Sequence, residues 1–265
     1  MNTRYIISIL CAFSVLSLFS REGTALEEHN GVFSITNVPE PEKVIYNYYI
    51  PDGENRDKLP VLICIDGLDL DGSYFMSDEW KTFASKNGFV LATLGFTFDP
   101  ADWETKKSYQ YPSAWSGKSV FKLLDILAAV ADINRQDLYF FGISAGAQFV
   151  HRFALIYPEI CKAAAVHAAG GYTYPEKYIP TKLLVTVGEA DNAGVSRVGF
   201  ARLFEDAARR HDIDIELRII PGLGHKHAQV QDELSMEFFK RIKSGAGDDQ
   251  KPEVNGETTR NGLGE

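Results

Sequence analysis

Apolar and polar positions follow two periodicities along the chain, one typical of strands and one typical of helices. Residues 31–36 and 43–50 alternate apolar and polar side chains, as expected for two edge strands of a hairpin. The runs at 61–65 and 89–94 are continuously apolar, which is typical of parallel strands covered on both faces. Four more strands are predicted, one beginning at Leu138 and the others at 163–166, 182–187 and 213–220.

Between these strands, apolar residues recur at the three- and four-residue spacing of helices. Helices are predicted at 79–85, 119–130, directly after Ser144, at 198–208, and around 234–242. Because strands alternate with helices, the pattern predicts one α/β domain over 28–243, with a mostly parallel sheet of about eight strands and helices on both faces. The stretch before the strand at 182–187 is too short to hold a large lid.

The two ends of the chain depart from this pattern. Arg4 precedes an apolar run over 5–19, and small residues follow it, which predicts a secretory signal peptide over 1–25. The run is short for a membrane span, and the alternative to a cleaved signal peptide is an uncleaved membrane anchor. Residues 244–265 are almost free of apolar side chains and are predicted to form a disordered tail. We therefore expect a secreted or periplasmic protein with no stable membrane association after cleavage.

Length and charge narrow the class of protein and its partners. A chain of 265 residues suits one domain with a full core, and the net charge of −9 argues against nucleic acid or an anionic membrane as a partner. Cys11 falls within the predicted signal peptide, while Cys64 and Cys161 are expected to be buried and unbridged. No feature of the sequence indicates an oligomeric state.

The stretch Gly142-Ile143-Ser144-Ala145-Gly146 has the pattern of a nucleophile elbow. A serine raised above a sheet edge needs a sharply bent backbone, and the residues two positions to either side must be very small. The helix after Ser144 would direct backbone N–H groups toward a negative charge developing there. The alternative interpretation is a glycine-rich turn with an incidental serine.

A serine nucleophile needs a base, and the base needs an acid that orients it. His225 follows the last predicted strand in a glycine-containing loop and is the candidate base, with His227 as its rival. Asp191 follows the strand at 182–187 and is the candidate acid, with Glu189 as its rival. The order serine, acid, histidine is the chain order of α/β-hydrolases.

With these motifs, the chain resembles the α/β-hydrolase superfamily over nearly all of the region after the signal peptide. It is most similar to small secreted esterases, either polyhydroxybutyrate-depolymerase-like or feruloyl-esterase-like. The matching pieces are Asp66-Gly67, the elbow, Gly188-x-x-Asp191 and Pro221-Gly222-Leu223-Gly224-His225. The resemblance implies a Ser144–Asp191–His225 triad, no cofactor, and ester hydrolysis through an acyl-enzyme. It also implies an oxyanion hole built from the backbone N–H groups of Leu68 and Ala145.

Several residues are candidates for the substrate pocket. The long connection that ends at Trp115 is rich in aromatic residues, which either line an open cleft for acyl or aryl esters, including polymer-linked ones, or pack the scaffold. Tyr172 is a second aromatic candidate. His167 ends a predicted strand and either lines the pocket or packs beneath it. Asp66 stands where the family usually has histidine, beside the expected oxyanion hole.

Three other functions remain open from the sequence. An exported serine peptidase or an acyltransferase would use the same triad. A non-catalytic binding module would keep only the fold. A metal enzyme would use Asp66, Asp69 and Asp71, but these acids lack neighbouring histidines and favour a solvated loop, so no metal site is expected.

Overall fold

The computed structural model describes residues 27–36, 42–52, 58–68, 70–97, 99–103, 105, 107–192 and 196–245. The predicted signal peptide and residues 246–265 of the predicted tail lie outside this part of the chain. The strands are β1 (Glu27–Ile35), β2 (Glu42–Ile50), β3 (Leu59–Ile65), β4 (Val90–Phe96), β5 (Ile133–Ile143), β6 (Cys161–His167), β7 (Lys182–Gly188) and β8 (Ile215–Ile220). The helices are α1 (Asp78–Asn87), α2 (Gly117–Ala128), α3 (Ala145–Ile156), α4 (Arg197–Arg210) and α5 (Gln229–Lys243).

All eight strands join one sheet in the order β1-β2-β4-β3-β5-β6-β7-β8. The first two strands form the expected antiparallel hairpin, and β2 pairs antiparallel with β4. Every later pairing is parallel. The predicted mostly parallel sheet of about eight strands is therefore confirmed.

Helices cover both faces of the sheet, as predicted, and the side chains of β5 alternate between the two hydrophobic cores. Leu138 and Phe140 belong to the core on the side of α2, α3 and α4. Tyr139 and Phe141 point the other way, into the core that includes Trp80 of α1 and Phe239 of α5. Each fully buried aromatic side chain contributes about 1.5–3 kcal/mol to the free energy of unfolding, because folding removes its apolar surface from water. The continuously apolar strands therefore stabilise the packing of helices on both faces of the sheet.

Several strand ends differ from the predictions. β1 begins at Glu27 rather than at residue 31, because residues 27–30 also pair with β2. β5 begins at Ile133 rather than near Leu138, because Ile133 and Asn134 pair with the start of β3 ahead of the more exposed polar residues 135–137. β8 begins at Ile215 rather than at residue 213, because the N–H of Ile213 bonds the Ala208 carbonyl and closes the end of α4. A short 3-10 helix, Ser73–Met76, was not predicted.

The parallel strands place their carboxyl ends along one edge of the sheet, where reactive groups collect in such folds. The loops after β3, β5, β7 and β8 leave from this edge and carry Asp66, Ser144, Asp191 and His225. Within the described ranges, no helix has the length and apolar character needed to cross a bilayer.

Candidate active site

Ser144 sits on a strained backbone between β5 and α3. Its φ is 54° and its ψ is −112°, outside the regions that L-residues favour. A Cβ on Gly142 would lie 2.6 Å from the carbonyl oxygen of Gly146, and one on Gly146 would lie 2.1 Å from that of Ile65. The two glycines are thus required by close backbone approach, as the elbow motif predicted.

The hydroxyl of Ser144 is joined to two distant side chains by hydrogen bonds. Ser144 Oγ lies 2.9 Å from His225 Nε2, and His225 Nδ1 lies 2.9 Å from Asp191 Oδ2. Because the carboxylate can only accept, Nδ1 carries the proton and Nε2 presents its lone pair to the serine. The Asp191 side chain is fully buried, whereas that of His225 is one-third exposed, so the base is accessible and its orienting acid is shielded.

Backbone contacts between two loops bring Asp191 and His225 together. The N–H of Ala190 donates to the carbonyl of Leu223 at 2.9 Å. Gly188 approaches the same carbonyl so closely that a Cβ would lie 2.0 Å from its oxygen. A glycine is therefore needed at the end of β7 so that the loop carrying Asp191 can pack against the loop carrying His225.

The rival residues make other contacts. Glu189 is exposed and accepts a hydrogen bond from the N–H of Gly222 at 3.1 Å. His227 Nε2 lies 2.7 Å from Asp232 Oδ1. Of the residues weighed from the sequence, the structure brings Ser144, Asp191 and His225 into one hydrogen-bonded line.

Arg197, the first residue of α4, adds a charged group that the sequence reasoning missed. Its Nη1 lies 3.0 Å from His225 Nε2 and also contacts Nδ1, and its Nε lies 3.5 Å from Asp191 Oδ1. No motif marks this residue, because it approaches the triad only through the placement of α4 beside the end of β7.

The loop after β3 runs beside the serine, and a Cβ on Gly67 would lie 3.9 Å from Ser144 Cβ. Asp66 turns its Oδ1 back onto the N–H of Gly67 at 2.7 Å, which occupies that donor. The N–H of Leu68, the next residue, and that of Ala145 at the start of α3 are the candidate oxyanion donors. Asp66 is 8 % exposed, and this burial raises the pKa of its carboxyl.

Comparison with known proteins gives agreement in fold alone. No family model matches the chain, and no curated protein sequence does so. An S-formylglutathione hydrolase from Agrobacterium tumefaciens superposes with a TM-score of 0.61 at 17 % identity, over 83 % of this chain and 96 % of that one. A poly(3-hydroxybutyrate) depolymerase from Bordetella parapertussis gives 0.58 at 18 %, over 87 % and 92 %. A ferulic acid esterase gives 0.63 at 12 %, over 82 % and 98 %.

The chain has the α/β-hydrolase fold. These neighbours are covered almost from end to end, so this fold accounts for nearly their whole length as well. The resemblance drawn from the elbow and the strand-end loops is confirmed at the level of the fold.

Within this α/β-hydrolase fold, two predicted pocket residues lie in the interior. Trp115 is 6 % exposed, donates its indole N–H to the carbonyl of Lys107 at 2.7 Å and packs edge-on against Phe96. His167 is fully buried between the hydroxyls of Thr186 and Ser235, each 2.7 Å away. Both were candidates for the cleft, and both instead pack the scaffold, because each has its polar atoms satisfied inside.

Tyr172 lies closer to the candidate triad. Its ring stacks on Phe204 of α4 at 4.7 Å, and its hydroxyl is buried without a hydrogen-bond partner among the described residues. The charges of Asp191 and Arg197 both act on it, and burial raises the pKa of this phenol. Tyr172 is therefore half-buried against α4, with its hydroxyl in the interior.

Asp66 also lines a cavity of about 380 Å³. Tyr74 and His227 form part of its wall. Both bond Asp232, which is fully buried, at 2.7 Å. Sequence offered no signal for this network, because Tyr74 and Asp232 are 158 residues apart.

Metal binding finds no support in the part of the chain that the structure describes. There, no group of three or more His, Cys, Asp or Glu side chains is arranged to hold an ion. Asp69, one of the three acids weighed for a metal site, lies outside the described residues. Cys64 and Cys161 are buried and unbridged, as expected.

Proposed function

We propose that this protein is a serine hydrolase that cleaves carboxylic esters through an acyl-enzyme on Ser144. The observation that supports this most strongly is the hydrogen-bonded line from Ser144 Oγ through His225 to Asp191. Such a line allows one imidazole to remove the serine proton and later return it to the leaving group. The strained backbone at Ser144 further supports it, because strain of this kind is usually kept for function.

The chemistry follows from the atoms in this line. His225 Nε2 takes the hydroxyl proton as Ser144 Oγ bonds to the ester carbonyl carbon, and the carbonyl oxygen becomes an oxyanion. The N–H groups of Ala145 and Leu68 stabilise this charge, and one such donor contributes about 3 kcal/mol to the transition state. When the intermediate collapses, the carbon–oxygen bond to the alcohol breaks and Nε2–H protonates the alcohol.

Deacylation repeats these steps with water. His225 removes a proton from the water as it attacks the acyl-enzyme, and then protonates Ser144 Oγ as the acid leaves. Asp191 stays ionised throughout, holding Nδ1–H and stabilising the imidazolium that forms at each step. The reaction uses no cofactor.

The names of the structural neighbours reported above favour esters as the substrate class. The three reported above are a hydrolase of S-formylglutathione, a depolymerase of poly(3-hydroxybutyrate) and an esterase of ferulic acid. All three bonds are esters or thioesters. We therefore infer a small acyl or aryl ester, free or linked to a polymer, as the substrate.

The test is hydrolysis of p-nitrophenyl acetate by the purified protein and by Ser144→Ala, with Ser77→Ala as the matched control. Ser77 is an exposed serine outside the site. We expect Ser144→Ala to lose at least about 10³-fold in kcat/KM and Ser77→Ala to match the parent. Turnover retained in Ser144→Ala, or faster cleavage of aminoacyl arylamides than of esters, would overturn the proposal.

We also propose that the protein is exported, because residues 1–25 have the charge, apolar run and small residues of a signal peptide. Amino-terminal sequencing of the protein recovered outside the cytoplasm should begin just after Ala25. Recovery of the intact amino terminus from the cytosol would contradict this.

A further inference from the structure

Arg197 places a permanent positive charge beside the imidazole of the candidate base. Its Nη1 lies 3.0 Å from His225 Nε2, and Ser144 Oγ lies 2.9 Å from the same nitrogen. A guanidinium stays protonated in proteins and can only donate hydrogen bonds. Because Nη1 lies closer to Nδ1 than to Nε2, the guanidinium sits against the imidazole ring and not on the lone pair that Nε2 presents to Ser144.

This placement bears on the proton transfer. Because Nδ1–H is engaged with Asp191 Oδ2, Nε2 is the atom that must accept the proton of Ser144. The imidazole then becomes positively charged against a guanidinium that is already positive. A negatively charged partner for Arg197 would offset this repulsion and favour the proton transfer.

Arg197 is also incompletely satisfied where it lies. Its side chain is 16 % exposed, and its Nε is buried without a hydrogen-bond partner among the described residues. It forms an ion pair with Asp191 Oδ1 at 3.5 Å, but neither of these two atoms makes a hydrogen bond among the described residues, nor does the hydroxyl of Tyr172. Buried polar atoms that make no hydrogen bond cost free energy. A hydrogen-bond acceptor brought to this guanidinium would therefore be stabilising.

We propose that Arg197 is a specificity-determining residue that binds a carboxylate carried by the substrate. The carboxylate would take two N–H donors of the guanidinium in the side-by-side geometry that suits both groups. Doing so offsets the positive charge beside His225 as its imidazolium forms. One guanidinium matches the single charge of a carboxylate. This inference rests on the proposed ester hydrolysis at Ser144.

The experiment compares esters that differ only in this charge. On the alcohol side the pair is 3-acetoxybenzoate and 3-acetoxybenzamide. On the acyl side it is monoethyl adipate and ethyl adipamate. For each pair the ratio of kcat/KM, anion over amide, is measured for the parent protein and for Arg197→Met, Arg197→Lys and Arg202→Met. Arg202 is exposed on the same helix, so its replacement removes the same charge at a distance from the triad.

We expect the parent to prefer the anion by about 10- to 100-fold in at least one pair, the range for one charge-assisted interaction. Arg197→Met should abolish that preference through both KM and kcat, because the carboxylate binds Arg197 and also offsets the charge beside His225. Arg197→Lys, which keeps the charge but loses the fork, should retain part of it. Arg202→Met should keep it in full.

Three results would overturn the inference. One is a parent protein that prefers the anion in neither pair. Another is a loss in Arg197→Met that is equal for anion and amide, which would mean that Arg197 only supports Asp191. The third is a preference lost equally in Arg202→Met. All three leave the proposed function intact, since that function fails only if Ser144→Ala retains ester hydrolysis.

Discussion

Gly146, in the first turn of α3, packs so closely against the end of β3 that a Cβ on it would lie 2.1 Å from the carbonyl oxygen of Ile65. The carbonyl oxygen of Asp66 would be 2.5 Å away. Both neighbours are backbone atoms, so neither can give way by changing a rotamer. This contact ties the elbow to the loop that carries the candidate oxyanion donor Leu68.

We therefore predict that Gly146→Ala is destabilising and inactivating. Forcing the two loops apart should cost about 1–3 kcal/mol in the free energy of unfolding and displace Leu68 from Ser144. Urea unfolding and ester hydrolysis measure the two effects. Gly171→Ala is the matched control, because its added Cβ would meet nothing closer than 3.8 Å. Equal stability of the two variants would contradict the account.

The assignment of the acid makes a second prediction. Asp191→Asn keeps the shape of the side chain but presents an amide to Nδ1, which favours the wrong imidazole tautomer. We expect kcat to fall by about 10⁴-fold, as for the corresponding change in a well-studied serine protease. Glu189→Gln should stay within about threefold, since Glu189 contacts the backbone of Gly222 and not His225. If Glu189→Gln proved the more damaging change, the acid would have to be reassigned.

The predicted and observed sites agree where local sequence carries the information. The positions of Ser144, Asp191 and His225 follow from apolar strands that end in short loops, because parallel strands bring their carboxyl ends to one edge. The glycine at residue 146 follows from the close approach that an elbow requires. These features depend on neighbours in the chain, so their spacing identifies them.

Long-range packing accounts for what the sequence did not reveal. His167 and Trp115 have the chemistry of pocket residues, yet their partners Ser235 and Lys107 satisfy them inside the core. Arg197 has no motif at all, because its role depends on where α4 docks. The start of β5 was concealed because the polar residues 135–137, which have no partner in β3, separate the paired residues Ile133 and Asn134 from the apolar run.

Two buried histidines predict how stability depends on pH. His151 and His167 are fully buried, and burial lowers the pKa of each imidazole to about 3. The unfolded chain binds protons at these sites below about pH 6.5, whereas the folded protein stays neutral there until about pH 3. The free energy of unfolding should therefore fall on acidification, by about 2 kcal/mol per imidazole between pH 7 and pH 5.

Urea unfolding at these two pH values checks this prediction. His167→Gln removes one titrating imidazole, so its loss of stability between pH 7 and pH 5 should be smaller than that of the parent by about 2 kcal/mol. His29→Gln, on the exposed face of β1, is the control. An unchanged pH dependence in His167→Gln would show that His167 is not held neutral by burial.

The most direct test of the central claim is the site of covalent modification by a fluorophosphonate, a reagent that traps activated serines. Peptide mass mapping should find one phosphonyl group per chain, on Ser144, appearing in step with the loss of ester hydrolysis. The same treatment of His225→Ala should label far more slowly. Modification at another residue, or ester hydrolysis that survives complete labelling of Ser144, would contradict the account.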